Sequence, residues 1–128
     1  MFEFPNTRRI VLDVLEAAGL SAGTRLVSLA PDDLPFHHVV QMPGSEQPRA
    51  PFATERFQIR SYAESPDGAD DAAREARAIL TNSGRPHVTE GHGQIDEIRC
   101  EATPAEIDTM TDTYAQVNAV YGADVRAL

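Results

Sequence analysis

The chain has 128 residues, 41% hydrophobic and 24% charged: one ordinary domain, too apolar to be disordered and too interrupted to span a membrane. Its 20 acids against 11 bases give a formal charge of −9, which makes the chain a poor candidate for sequence-independent nucleic-acid binding, where a basic face is needed, and disfavours anionic membrane surfaces. Cys100 is the single cysteine, so no intrachain disulfide can form. The start, Met1 to Pro5, lacks the basic flank and apolar run of a secretory signal, and the expectation is a soluble protein made in a cytoplasm. All 11 basic residues are arginine. Such a bias reads as codon usage in a GC-rich genome rather than as arginine-specific contacts.

In chain order, the first predicted element is a helix over about residues 5–18. Pro5 suits a first helical position, Ile10, Val11, Val14, Leu15 and Ala18 recur at helical spacing, and Gly19 supplies the stop. Arg25 to Leu29 reads as a short strand closed by a turn at Ala30 to Asp33, and His38 to Met42 as a second strand ended by Pro43-Gly44. Pro43 to Pro51, with three prolines and no apolar period, is expected to be a contact-making loop. The clearest strand follows, with Phe57, Ile59, Ser61 and Ala63 on one face and Arg56, Gln58, Arg60 and Tyr62 on the other.

Ser65-Pro66-Asp67 opens a second helix, whose inner face is Ala69, Ala72, Ala73, Ala76, Ile79 and Leu80. Asp70 and Arg74 stand four apart on its outside, and Ser83 to Pro86 stops it. Gln94 to Ala102 reads as a strand with a bulge near Asp96, and Thr103 to Glu106 as a capping box starting a short helical turn. Beyond it two periods compete. Ile107, Met110, Tyr114, Val117 and Tyr121 fit a helix, whereas the alternation from Tyr114 to Tyr121 fits a strand, and the Tyr, Val and Thr content leans to the strand. The order α-β-β-β-α-β-β predicts an α+β domain, a mostly antiparallel sheet of four to five strands with two helices packed on one face.

Catalytic chemistry finds little footing in the chain. His37 and His38 are adjacent at a strand entrance and point to opposite faces. His87, Glu90 and His92 are a chemically reasonable metal set, but they fall in a Gly-rich loop without the helical spacing of the zinc hydrolases, so exposed loop histidines are the simpler reading. No nucleophile elbow, Walker loop or dinucleotide-binding glycine motif is present. Cys100 sits in a predicted strand as a small core residue, and the pairs Asp32-Asp33, Asp70-Asp71 and Asp96-Glu97 fall at turns or on helix exteriors, where solvated acids are ordinary. The reading is therefore no enzyme, no cofactor and no metal.

The layout resembles the tail terminator (tail completion) proteins of long-tailed bacteriophages, the family that includes the terminator of bacteriophage lambda. The parts that carry the resemblance are the first helix, Pro5 to Ala18, then Thr24 to Ser28 and His38 to Val40. After the Pro-rich loop come Phe57 to Ala63, the Ala-rich helix Ala69 to Leu80, and a late strand, Tyr114 to Tyr121, with Val125-Arg126 near the end. The helix-like Thr103 to Thr113 departs from the pattern, and the acidic balance is not diagnostic of it.

The resemblance implies a single terminator-like domain over residues 1–128. Its role would be that of a virion structural protein forming a hexameric ring on the tail tube, which ends tube polymerisation and presents a surface to the head connector. The implied partners are further copies of the chain, the tail tube protein and a head-tail connector or stopper protein. DNA passes through without specific binding, no membrane takes part, and the location is the virion tail, assembled in the host cytoplasm. Another neck component, a connector or stopper, is the neighbouring alternative; a small metal-dependent enzyme or ligand-binding domain is the distant one.

A ring needs heterologous contacts, and the Pro-rich loop with its flanks offers arginine and aromatic anchors, Arg49, Phe52 and Arg56, as a subunit or tube interface. Acids facing a channel would keep DNA sliding. Asp67, Asp70, Asp71 and Glu75 on the second helix are the candidate lining, with Glu101, Glu106, Asp108 and Asp112 as a second acidic stretch.

Overall fold

The computed structural model describes residues 6–25, 31–46, 52–81, 86–89, 93–109, 111 and 113–126. Helix α1 (Thr7–Ala17) starts at Asn6, whose side chain accepts from the Arg9 amide at 3.1 Å. The cap is thus Asn6 rather than a helix-initiating Pro5, which lies outside the described residues. Gly19, at φ 87°, ends the helix: its amide bonds Glu16 O at 2.9 Å and the Leu20 amide bonds Leu15 O at 3.0 Å, the left-handed closure expected of a glycine there. Ile10, Val11, Leu12 and Leu15 are buried.

Two residues, Ala22–Gly23, form β1. Of the predicted strand Arg25 to Leu29, Arg25 lies in a bend and the rest is outside the described residues. After a single 3-10 turn (Pro31–Asp33), β2 (Phe36–Glu46) and β3 (Phe52–Ala63) form an antiparallel hairpin from Phe36 opposite Tyr62 to Glu46 opposite Ala53. β2 therefore does not stop at Pro43-Gly44. A register shift between Met42 and Ser45 absorbs a proline that cannot donate and a glycine that tolerates the kink. The expected nine-residue loop shrinks accordingly, its first residues and the chain from Phe52 being strand.

Helix α2 (Pro66–Thr81) is capped by Ser65, whose hydroxyl accepts from the Gly68 amide at 3.1 Å. Its buried stripe is Ala69, Ala72, Ala73, Ala76 and Leu80, with Ile79 partly buried. Then come β4 (His87–Thr89), β5 (Gly93–Ile107) and β6 (Ala115–Arg126).

These strands make one sheet in the order β1-β2-β3-β6-β5-β4, antiparallel except for the parallel β1–β2 pair. The fold is α+β as expected, but among the described residues the sheet is mixed and has six strands. The two additions are edge strands of two and three residues, too short to carry a legible period. His87 belongs to one of them rather than to a loop.

The last third corrects the sequence reading. Thr103 to Glu106 opens no helical turn. It continues β5, and register shifts at Cys100/Ala102 and Ala102/Ala105 take up Pro104. The bulge expected near Asp96 is there, between Ile95 and Glu97. From Ala115 the strand period prevails over the helical one. β6 lies between β3 and β5, so its backbone is paired on both sides while Val117, Ala119, Tyr121, Ala123 and Val125 are buried.

Both helices pack on one face of the sheet. The main core joins α1 and the end of α2 to Val39, Phe57, Ile59, Ile95, Ile98 and Ala119, Tyr121, Ala123 and Val125 of β6, with Phe57 and Tyr121 stacked at 5.3 Å. Ala63, Ala69, Ala73, Ala115 and Val117 make a second cluster under the start of α2, where alanines let the helix lie close to the strands. Among the described residues the other face carries no helix, and it is polar through Arg56, Gln58, Arg60, Gln116 and Asn118. Tyr62 on that face is nevertheless buried, its ring edge-on to Tyr114 at 5.5 Å.

Candidate functional site

The expected interface residues stand where β3 begins. Phe52 opens the strand opposite Arg126 of β6, Arg56 follows on the helix-free face, and Arg49 lies outside the described residues. Arg56 is not a bare anchor. Its Nε donates to both carboxylate oxygens of Glu101, at 2.9 and 3.2 Å, across the intervening strand β6. Gly122 lies between them in the register, and a Cβ there would stand 2.5 Å from Glu101 Oε1 and 3.2 Å from Arg99 Nη2. With a Cβ there, the Glu101 carboxylate, the flexible end of its side chain, would have to shift.

Neighbouring pairs extend this ladder. Arg99 meets Asp124 at 2.8 Å, Thr54 donates to Asp124 at 3.2 Å, and Arg126 meets Asp96 at 2.7 Å. The Arg126 hydrogen bond, with help from Gln94, holds the Asp96 carboxyl below its usual range. The result is a tied, charge-compensated patch at one end of the helix-free face.

Asp67, Asp71 and Glu75 are exposed on α2, and Asp70, half-buried, accepts from Arg74 at 2.8 Å as its spacing predicted. These four lie on the helix side of the sheet, whereas Glu101 lies on the opposite face. The two acidic groups are thus separated by the thickness of the molecule. Glu106 and Asp108 are elsewhere again, at the far end of β5, and Asp112 is outside the described residues.

That far end holds an open cleft of about 560 Å³, lined by Glu64 and Pro66 ahead of α2, by Glu106, Ile107, Asp108 and Thr109 at the end of β5, and by Thr111, Tyr114 and Ala115. Ile107 is 41% exposed, an unusual position for a large apolar side chain. Chain order explains the assembly: β3 leads into α2 at the same end where β5 finishes and β6 starts.

The histidines part as expected. His37 is buried against Ser61, Nδ1 to Oγ 2.8 Å, and its Nε2 has no partner among the described residues. Burial lowers its pKa to about 4, so the ring is neutral at physiological pH. Ser61 is itself fully buried, and His37 borders a cleft of about 370 Å³ lined by Gly19 to Ser21 and Asp32 to Phe36. His38, on the other face, lies 3.2 Å from Thr24 O, and burial lowers its pKa too. Of the His87–Glu90–His92 set, His87 alone is among the described residues. His87 Nε2 is 3.3 Å from the Leu80 carbonyl, and Glu90 and His92 lie outside the described residues. Among the described residues no three potential ligands converge on one point. Cys100 is half-buried against the core, its Sγ 3.4 Å from Ala102 O.

Sequence reasoning missed the His37–Ser61 pair and the cross-strand ladder because their members are 24 and 45 residues apart. The one signal for the ladder was Arg56, a charged residue on the polar face of a predicted amphipathic strand.

No protein-family model and no curated protein matches the chain. Among solved structures, the fold is similar to a chain in the virion of a native gene transfer agent (GTA) particle, with a TM-score of 0.65 over 94% of both chains and 14% sequence identity. At that identity the likeness is one of fold.

Proposed function

We propose that this chain is a structural component of a phage-type virion, a tail terminator that caps the tail tube as a hexameric ring. In that role it ends tube polymerisation and offers a surface to the head connector. The observation that carries the reading is the fold similarity to a gene transfer agent virion chain over 94% of both chains, at a TM-score of 0.65. The candidate site supports it by its character. It consists of a tied polar sheet face, an acidic helix exterior and a strand hairpin.

In this reading the hairpin end bearing Arg49, Phe52 and Arg56 makes subunit or tube contacts, and Asp67, Asp70, Asp71 and Glu75 face the conduit through which DNA slides. The protein resides in the virion tail after assembly in the host cytoplasm, with the tail tube protein and a connector or stopper as partners. Native mass spectrometry over a concentration series, with and without purified tail tubes, tests it. A sixfold species, alone or on the tube, is expected; a stable closed dimer that ignores the tube would overturn the ring.

A further inference from the structure

The strand register gives the molecule two unlike poles. β3 runs from Phe52 at one end to Ala63 at the other, and β6 returns from Ala115 to Arg126. Twelve residues of strand place these ends roughly 40 Å apart. At the first pole β2 and β3 are joined through residues 47–51, Gln-Pro-Arg-Ala-Pro, a segment whose one charge is Arg49. At the second pole is the cleft beside Ile107. Among the described residues its lining holds three carboxylates, Glu64, Glu106 and Asp108, and no arginine, together with the apolar Pro66, Ile107, Tyr114 and Ala115. Glu64 and Glu106 are both exposed at its rim.

We infer that the cleft receives the hairpin segment 47–51 of a second copy of this chain, Arg49 meeting Glu64 and Glu106 while the prolines and Ala50 cover Ile107. Charge and texture both select this occupant. An arginine flanked by prolines and alanine is a cationic, apolar, conformationally stiff segment, and the cleft is an acidic rim around exposed apolar surface. The chemistry also suits the contact better than lysine would, since a guanidinium can bridge two carboxylates through its planar fork.

Because the two patches are different and lie at opposite poles, the contact is heterologous. Repeated once per copy it propagates head to tail and closes a ring if the rotation allows; made twice between two copies it gives a dimer. The inference therefore rests on the ring reading for its biological use but not for its existence.

Charge reversal tests it in the full-length protein. Arg49→Glu and Glu106→Arg are each expected to raise the concentration at half-assembly at least tenfold, and the double variant to restore it to within about threefold of wild type. Arg8→Glu, an exposed arginine on α1 away from both patches, serves as the control and should assemble normally. A synthetic peptide spanning residues 45–53 provides a second readout: it should shift the NMR signals of Ile107 and Tyr114 in the wild-type protein and not in Glu106→Arg. Single variants that assemble like wild type, or a double variant no better than the worse single, overturn the contact. If wild type stays monomeric even on tail tubes, the ring reading falls, and the peptide alone then decides: shifts at Ile107 uphold the contact, and their absence ends it. A dimer sensitive to both reversals and rescued by the double upholds the contact and ends the ring.

Discussion

At the scale of single residues, His37 is a side chain whose chemistry departs far from what its type suggests. Buried against Ser61 with Nε2 unpartnered among the described residues, it is held neutral, its pKa about 4 in the folded protein against about 6.5 in the unfolded chain. The sign follows from proton counting. Between these two values the unfolded state binds the extra proton, so stability is complete above pH 6.5 and falls as the pH drops toward 4, by about 3 kcal/mol in all. Urea titrations between pH 7 and 5.5, above most carboxylate titration, should show this slope in wild type and a flatter one in His37→Gln; equal slopes would place the acid sensitivity elsewhere. Gly122 makes the complementary point. A Cβ there would meet the flexible ends of Glu101 and Arg99, and the Glu101 carboxylate would have to shift. The Arg56–Glu101 pair that spans it is solvent-exposed, so Arg56→Ala should change the melting free energy by less than about 1 kcal/mol while leaving the salt dependence of unfolding weaker.

At the scale of elements, α2 is the clearest case of a sequence pattern realised in three dimensions. Its alanine stripe, its Ser65 cap and its Asp70–Arg74 pair all stand where period and spacing put them. The small side chains set a close approach of helix to sheet. Ala73→Leu, at a site 3% exposed, should therefore cost about 1–3 kcal/mol through overpacking, whereas Ala78→Leu on the exposed side should change stability by less than about 0.5 kcal/mol. A thermal melt of the two variants separates these outcomes, and equal losses would contradict the close packing. β5 and β6 illustrate the opposite case. Thr103 to Glu106 has the composition of a helix start and Ile107 to Tyr121 a helical spacing, yet the first runs as strand and the second does so from Ala115 onward. Local signals of that size, worth a few tenths of a kcal/mol to about one, yield to a ladder that pairs β6 on both sides.

At the scale of the whole molecule, the helices divide the sheet into a buried face and a polar one, and that division sorts the acids. Asp67, Asp70, Asp71 and Glu75 share the exterior of α2, so in the proposed ring they act together or not at all. Replacing all four by their amides should leave the fold intact, each acid being at least partly solvated, and should slow DNA ejection or lower virion yield. Unchanged ejection and yield would remove these residues from the conduit.

Much of the architecture was legible from the chain alone: the two helices, the strand at Phe57 to Ala63, the bulge near Asp96 and the α+β class. Each depends on contacts between residues a few positions apart, and period and capping encode those directly. The six-stranded order, the edge strands β1 and β4, the passage of β2 through Pro43-Gly44 and the strand course of β6 were decided by tertiary structure. So were the His37–Ser61 pair, the Arg56–Glu101 bridge over Gly122 and the cleft at Ile107. These all rest on which strand lies beside which, a choice settled by burying a common core and pairing every central backbone group. Neighbours in sequence carry little record of that choice.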